Sequence, residues 1–129
     1  MKVQVVDQAL VPDEYDLIVQ QLKAFVQNDA IHFILTSGGT GLGPRDVTPE
    51  ATKSVIEKEW QSIMTYITSE SIKITPLACL SRAVWGVANN TLIINLPGKP
   101  KAVTENLSIL MISNILRHAV KSVNGECLH

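Results

Sequence analysis

Thr36-Ser37-Gly38-Gly39-Thr40-Gly41-Leu42-Gly43-Pro44-Arg45-Asp46-Val47-Thr48-Pro49-Glu50 is the stretch on which the reading of this chain turns. An apolar run, Ile31-His32-Phe33-Ile34-Leu35, precedes it and reads as a buried strand. Four of the six residues 38–43 are glycine, and a basic and an acidic side chain follow. Thr48-Pro49-Glu50 then opens a helix: Thr48 caps, Pro49 suits the first helical position, and Glu50 complements the positive helix end. Strand, glycine loop and helix start together make an anion-binding design, because glycine lets backbone N–H groups approach a phosphate that side chains would block. The loop lacks the Gly-Lys-Ser/Thr ending of a P-loop. Gly39-Thr40-Gly41-Leu42-Gly43 falls one residue short of the dinucleotide spacing, and the acids further on, Glu57 and Glu59, fall in a predicted helix rather than on a second strand. The alternative is a flexible loop that binds nothing, for which an Arg-Asp pair and a well-specified helix start would be unneeded decoration.

Outward from the loop, the pattern is βαβ-loop-αα-ββ-α. Lys2 to Val6 is β-branched and weakly alternating, and reads as a strand. Val11-Pro12-Asp13 opens a helix in which Ile18, Leu22, Phe25 and Val26 recur at helical spacing, ending near Asn28-Asp29. One helix is predicted from Pro49 to about Glu57 and a second over Gln61 to Ser69, with Ile63 and Ile67 on one face. Val84–Ala88 and Thr91–Asn95 read as strands joined by a turn at Asn89-Asn90. From Pro100 onward the chain reads as helical: Val103, Leu107 and Leu110 mark one face, Ile112, Leu116 and Val120 the next, and Gly125 stops it. This order predicts an α/β domain with a mainly parallel sheet. The histidines carry little: His32 reads as a core residue, and neither His118 nor His129 has metal-ligand spacing with another. Tyr15, Trp60, Tyr66 and Trp85 read as packing residues.

Composition narrows the class. The 129 residues suit one domain, 1–129, and 46% hydrophobic and 18% charged residues with a net charge of −1 are ordinary for a globular chain. No charge block or basic-aromatic interleaving points to nucleic acid. The N-terminus lacks an apolar signal core, and the longest apolar stretch, Ile109-Leu110-Met111-Ile112, is too short to span a bilayer. Cys79 and Cys127 have no ligand spacing and fit a reducing cytosol, so a cytoplasmic location and no disulfide are expected.

Three segments carry a resemblance: Thr36 to Thr52, Leu80-Ser81-Arg82, and Asn95-Leu96-Pro97-Gly98-Lys99-Pro100. In order and spacing they look like the signature segments of the MogA/MoaB-type molybdopterin-binding proteins, and the likeness runs from about Val3 to about Val123. Two sister groups share the fold: molybdenum-insertion enzymes with a Ser-Gly-Gly-Val-Ser-type loop, and CinA-like nucleotide hydrolases with a Gly-Gly-Leu-Gly-Pro-Thr-type loop. Gly39-Thr40-Gly41-Leu42-Gly43-Pro44-Arg45-Asp46 sides with the adenylyltransferases. The resemblance implies a three-layer α/β domain with helices on both faces of the sheet. It implies transfer of AMP from ATP to molybdopterin with Mg²⁺, a homotrimer in molybdenum cofactor biosynthesis, and a molybdenum-insertion enzyme as a further partner. The rivals are a non-catalytic pterin-binding or assembly module and, less favoured by the loop, a CinA-like hydrolase. Family members normally begin about 40 residues upstream of the segment matching Val3-Gln4-Val5-Val6, with a strand that lies inside the sheet. By that comparison the chain is N-terminally short, either as a fragment or late-start product, with the slot filled by a partner chain, or with a rearranged sheet.

Asp13 and Asp46 lie at element starts where loops converge on one sheet edge, which suits groups that act on phosphates. The resemblance makes both catalytic and metal-binding: Asp46 in the pterin-phosphate and metal region, Asp13 facing the nucleotide phosphates through metal. The competing reading of Asp13 is a helix cap, and of Asp46 a salt bridge to Arg45. Thr36, Ser37, Gly38, Gly39, Thr40, Gly41 and Arg45 would hold the pterin and its phosphate. Ser81-Arg82 suits an anion or is a loop-cap pair. Asn95, Pro97, Gly98 and Lys99 form either a ligand-facing turn or a plain strand-to-helix connection.

Overall fold

The computed structural model describes residues 2–125, apart from the Ile112 side chain; the expectations for Cys127 and His129 lie outside the described residues, as does that for Ile112's facing. The elements in chain order are α1 (Tyr15–Val26), β1 (Phe33–Ser37), α2 (Thr48–Val55), β2 (Lys58–Glu59), α3 (Gln61–Ile72), a 3₁₀ turn (Pro76–Leu80), β3 (Trp85–Ala88), β4 (Thr91–Leu96), α4 (Pro100–Ile112) and α5 (Ile115–Val123). The strands form one sheet in the order β1-β4-β3-β2.

β4 organises the sheet. Its six residues are all buried, because helices cover both faces and a strand lies on each side. Leu92, Ile94 and Leu96 join Trp85 of β3 beneath α3, α4 and α5, where Ile63, Ile67, Leu110 and Leu116 meet them. Ile93, on the opposite face, packs with Ile34 and Ala88 against Ile18, Leu22 and Ala51 of α1 and α2. Period-two alternation thus feeds two cores, one on each side of the sheet. The fold is α/β with helices on both faces. Trp60 and Trp85 meet edge to face, ring centroids 6.2 Å apart.

The β3–β4 hairpin turns at Asn89-Asn90, with Ala88 opposite Thr91. Asn89 has φ 53°, which asparagine adopts more readily than other side-chain-bearing residues. Among the described residues parallel pairing is confined to β1 and β4, where Ser37 stands opposite Leu96; the other two pairings are antiparallel. The sheet is therefore mixed rather than mainly parallel. A tight hairpin and the short return strand β2 leave no crossover between β3 and its neighbours.

Several local expectations change. Lys2 to Val6 forms no strand: residues 2–12 hold neither helix nor strand, and Val3, Val5 and Val6 are exposed. A β-branched run becomes a strand only where a neighbour supplies its ladder, and among the described residues no strand pairs with it. β1 begins at Phe33, leaves His32 exposed outside the strand, and presents Leu35 with 41% of its surface open. In the described sheet β1 pairs on one side only, so its run is half-buried. Glu59 lies on β2 and Glu57 between α2 and β2, not in a helix. Gly86 makes room for β2, since a Cβ there would stand 2.5 Å from the Lys58 carbonyl oxygen. The C-terminal helix is two helices, broken at Ser113-Asn114 with Asn114 at φ 60°. Tyr15 and Tyr66 are exposed, so of the four aromatics expected to pack only Trp60 and Trp85 do so.

Candidate functional site

The parallel β1–β4 pair decides where the chemistry-bearing residues go. Both strands end at the same edge, Ser37 beside Leu96, so the loop after β1 and the turn after β4 emerge side by side. The carboxyl ends of parallel strands are where α/β folds place ligands. Gly38 has φ 95° and its N–H donates to the Leu96 carbonyl at 3.1 Å. A Cβ on Gly98 would stand 3.3 Å from Gly38 Cα, so the two connections touch backbone to backbone. The Ser37 hydroxyl donates to the Pro97 carbonyl at 3.1 Å and ties them together again.

The loop is shaped around its own acid. Asp46 Oδ2 accepts from the Gly43 N–H at 2.9 Å. Cβ atoms built on Gly41 and Gly43 would lie 2.8 and 2.9 Å from that same oxygen. These two glycines therefore make room for the Asp46 carboxylate itself. Gly39 serves a different neighbour: its φ is 68°, and a Cβ would meet Thr48 Oγ1 at 2.3 Å and Asp13 Oδ1 at 3.7 Å. Asp13 thus faces the loop from the start of α1. It does not cap that helix, whose cap residue is Glu14 with no side-chain cap bond. Nor does Thr48 cap α2; it is the first helical residue, and its N–H donates to the Gly39 carbonyl at 3.2 Å.

Arg82 fastens the loop. Its backbone N–H donates to the Thr40 carbonyl at 2.8 Å. Its Nε donates to the Gly41 carbonyl and its Nη2 to the Asp46 carbonyl, each at 2.8 Å. The guanidinium also donates to Glu50, Nη1 to Oε2 at 2.6 Å and Nη2 to Oε1 at 3.3 Å. The Arg82 hydrogen bond holds the Glu50 carboxyl below its ordinary value, partial desolvation opposing, and Glu50 in turn raises Arg82. Ser81 Oγ donates to Thr40 Oγ1 at 3.5 Å. The ion pair weighed between Arg45 and Asp46 does not form; among the described residues Arg82 pairs with Glu50 and Lys73 with Glu70, and Arg45 is exposed at the loop tip.

Asn95 is fully buried and spends its amide on the scaffold. Its Nδ2 donates to the hydroxyls of Thr36 at 3.0 Å and Thr52 at 2.9 Å, and its Oδ1 accepts from the Val84 N–H at 3.0 Å. It ties β4 to β1, α2 and the entry to β3.

Beside the loop opens a cavity of about 400 Å³. Thr40, Gly41, Gly98 and Lys99 line it on the loop side, Trp85, Ile67 and Leu77 among its apolar walls. Ser71 and Asn106, joined Oγ to Oδ1 at 3.0 Å, add a polar patch. A polar, glycine-edged mouth with a largely apolar interior suits a flat ring system carrying a phosphate. Among the described residues no group of three or more His, Cys, Asp or Glu is placed to hold a metal. Asp13 and Asp46 at the glycine loop suit Mg²⁺ arriving with phosphates, since that ion commonly takes one or two carboxylates and completes its shell with substrate and water.

A family model described as a probable molybdopterin binding domain matches residues 1–118. The chain belongs to that family. It is 50% identical over 117 residues to the molybdenum cofactor synthesis protein cinnamon of Drosophila melanogaster, covering 91% of this chain and 19% of that protein. It is 42% identical to a molybdopterin adenylyltransferase of Haemophilus influenzae, covering 92% of this chain and 61% of that enzyme. Among solved structures, the molybdopterin biosynthesis enzyme MoaB of Thermus thermophilus superposes with a TM-score of 0.86 at 41% identity, over 95% of this chain and 76% of that one. The chain thus spans about three fifths of that curated adenylyltransferase.

Within this molybdopterin-binding-family domain, sequence reasoning missed three contributors to the site. Glu50 read as a helix-end complement, yet its carboxylate faces Arg82. In the sequence Thr52 stands only as the end of the motif segment Thr36 to Thr52, and nothing singles out Ser71 or Asn106. Their partners lie 32 to 43 residues away, and no local pattern encodes such pairs.

Proposed function

We propose that this chain binds molybdopterin at the glycine loop and in the adjoining cavity, and transfers AMP from ATP to it in molybdenum cofactor biosynthesis. In that reaction a terminal phosphate oxygen of molybdopterin bonds to the α-phosphorus of ATP, the bond to the β-phosphate oxygen breaks, and pyrophosphate leaves. The observation that carries the reading is the continuity of a polar, glycine-edged mouth with an apolar, Trp85-walled interior. The mouth suits the phosphate and the interior the pterin ring. Asp46, held by Gly43, orients charge beside the pterin phosphate; Asp13 faces the nucleotide side; Lys99 and Arg45 add positive charge. Mg²⁺, when bound, would neutralise developing phosphate charge. The same reading extends to a cytosolic homotrimer that hands its product to a molybdenum-insertion enzyme.

Trp85 offers the test. Molybdopterin should quench tryptophan fluorescence, and ATP with Mg²⁺ and molybdopterin should release pyrophosphate. Absence of quenching with a folded protein would remove the binding assignment. Binding without pyrophosphate release would favour the second reading, a non-catalytic module. The half-open β1 strand beside the loop favours that reading, because an edge exposing Leu35 holds its loop less firmly than a strand paired on both sides.

A further inference from the structure

We propose that Glu50 is a positioning residue for the glycine loop. By holding the Arg82 guanidinium in one plane it keeps the carbonyls of Gly41 and Asp46, and hence the arc 40–46, in binding shape. The functional half of this inference rests on the binding role proposed above; the structural half does not.

The arc has little of its own to hold it. Leu42 is 70% exposed, Gly43, Pro44 and Arg45 are exposed too, and no core residue lies between Gly41 and Asp46. Internal bonds are few: Asp46 N–H to the Gly43 carbonyl at 3.1 Å and Gly43 N–H to the Asp46 carboxylate at 2.9 Å. Three carbonyls of the arc, those of Thr40, Gly41 and Asp46, accept from the single residue Arg82. Two of the three depend on the side chain. An arginine fork is planar and rigid, so an acid that fixes two of its nitrogens fixes the directions of the rest. Glu50 accepts from both Nη1 and Nη2, on the first turn of α2, an element packed against α1 and the sheet. The anchor is thus stiff where the arc is not.

An exposed ion pair taken alone contributes little to stability, and here the side chains are 35% and 50% accessible. The expected consequence of losing Glu50 is accordingly local. The guanidinium turns toward water, two carbonyls are released, and the arc loosens while the sheet stays intact.

Hydrogen exchange on the intact chain separates these outcomes. In Glu50→Ala the Gly43 and Asp46 amides, the two hydrogen-bonded N–H groups of the arc, should exchange about tenfold faster or more, while those of Leu92, Ile93 and Ile94 stay at the wild-type rate. A merely structural loss would speed both sets. Glu50→Gln, which keeps one acceptor oxygen, should restore part of the protection. In an Arg82→Lys background, which removes the fork but keeps the charge, Glu50→Ala should add little further change. Molybdopterin affinity, read by tryptophan quenching, should fall as loop exchange rises. Unchanged exchange at Gly43 and Asp46 in folded Glu50→Ala overturns the proposal, as does full additivity with Arg82→Lys. The exchange arm needs no ligand, so a wild-type chain that fails to bind molybdopterin defeats the functional reading and leaves this test decisive.

Discussion

Gly39 joins a left-handed backbone, φ 68°, to a Thr48 hydroxyl 2.3 Å from where a Cβ would stand. Either feature alone disfavours a side chain; together they forbid a β-branched one without displacement of the α2 start. Gly39→Val should lower stability by about 2 kcal/mol, the left-handed backbone alone accounting for roughly 1–2. It should also abolish molybdopterin binding, and thermal melts with fluorescence titrations check both. The aspartates differ in setting, and their variants should differ too. Asp13 faces the loop without capping α1, so Asp13→Ala should leave the melting temperature and pterin binding nearly unchanged. Pyrophosphate release should fall about 100-fold or more, roughly 2.7 kcal/mol of transition-state stabilisation. Asp46→Ala should impair both properties, because Gly41 and Gly43 close around a carboxylate that is no longer there. Wild-type turnover in Asp13→Ala would remove Asp13 from the chemistry.

At the scale of elements, β4 carries the site. Asn95 on that strand bonds β1 through Thr36, α2 through Thr52, and the backbone before β3 through Val84. Asn95→Ala leaves a buried N–H and two hydroxyls short of a partner, with a small cavity besides. The expected destabilisation is about 3 kcal/mol, read from urea unfolding, with the loop weakened as β1 and β4 lose their cross-tie. A change below about 1 kcal/mol would show that the three partners re-pair among themselves. These strands also show how far local reading carries. The β3–β4 hairpin was legible because the Asn89-Asn90 turn is a local signal. The two-residue β2 was not, because Lys58-Glu59 has no pattern of its own and exists only by pairing with Gly86 and Val87. The break at Asn114 went unread because apolar residues continue on both sides of it.

For the molecule as a whole, acid should act partly through one ion pair. Arg82 holds Glu50 below its ordinary value of 4.5, so the folded state favours the carboxylate. A lowered carboxyl contributes stability that is fully present above the unfolded value and is lost as pH falls through the folded one. The melting temperatures of wild type and Glu50→Gln should therefore differ above pH 4.5 and converge below it. The gap should be small, since the pair is solvent-screened. A gap that widens toward acid would reverse the assignment.

The sequence by itself determined what neighbouring residues decide. The glycines of 38–43 announced a loop, Pro49 and Pro100 helix starts, Asn89-Asn90 a turn, and the three motif segments the molybdopterin-binding family. Backbone preference and period are local properties, readable wherever the residues stand. Tertiary structure alone decided what needs a distant partner. It set β1 parallel to β4 and so brought the motifs to one edge, while Lys2–Val6, without a neighbouring strand, stayed irregular. It turned Gly41 and Gly43 toward Asp46, and it spent the Arg82 fork on loop carbonyls and Glu50. Hydrogen bonds and ion pairs between residues 30 to 60 positions apart form only once the chain has paid the entropy of bringing them together, and no local pattern records which of them will.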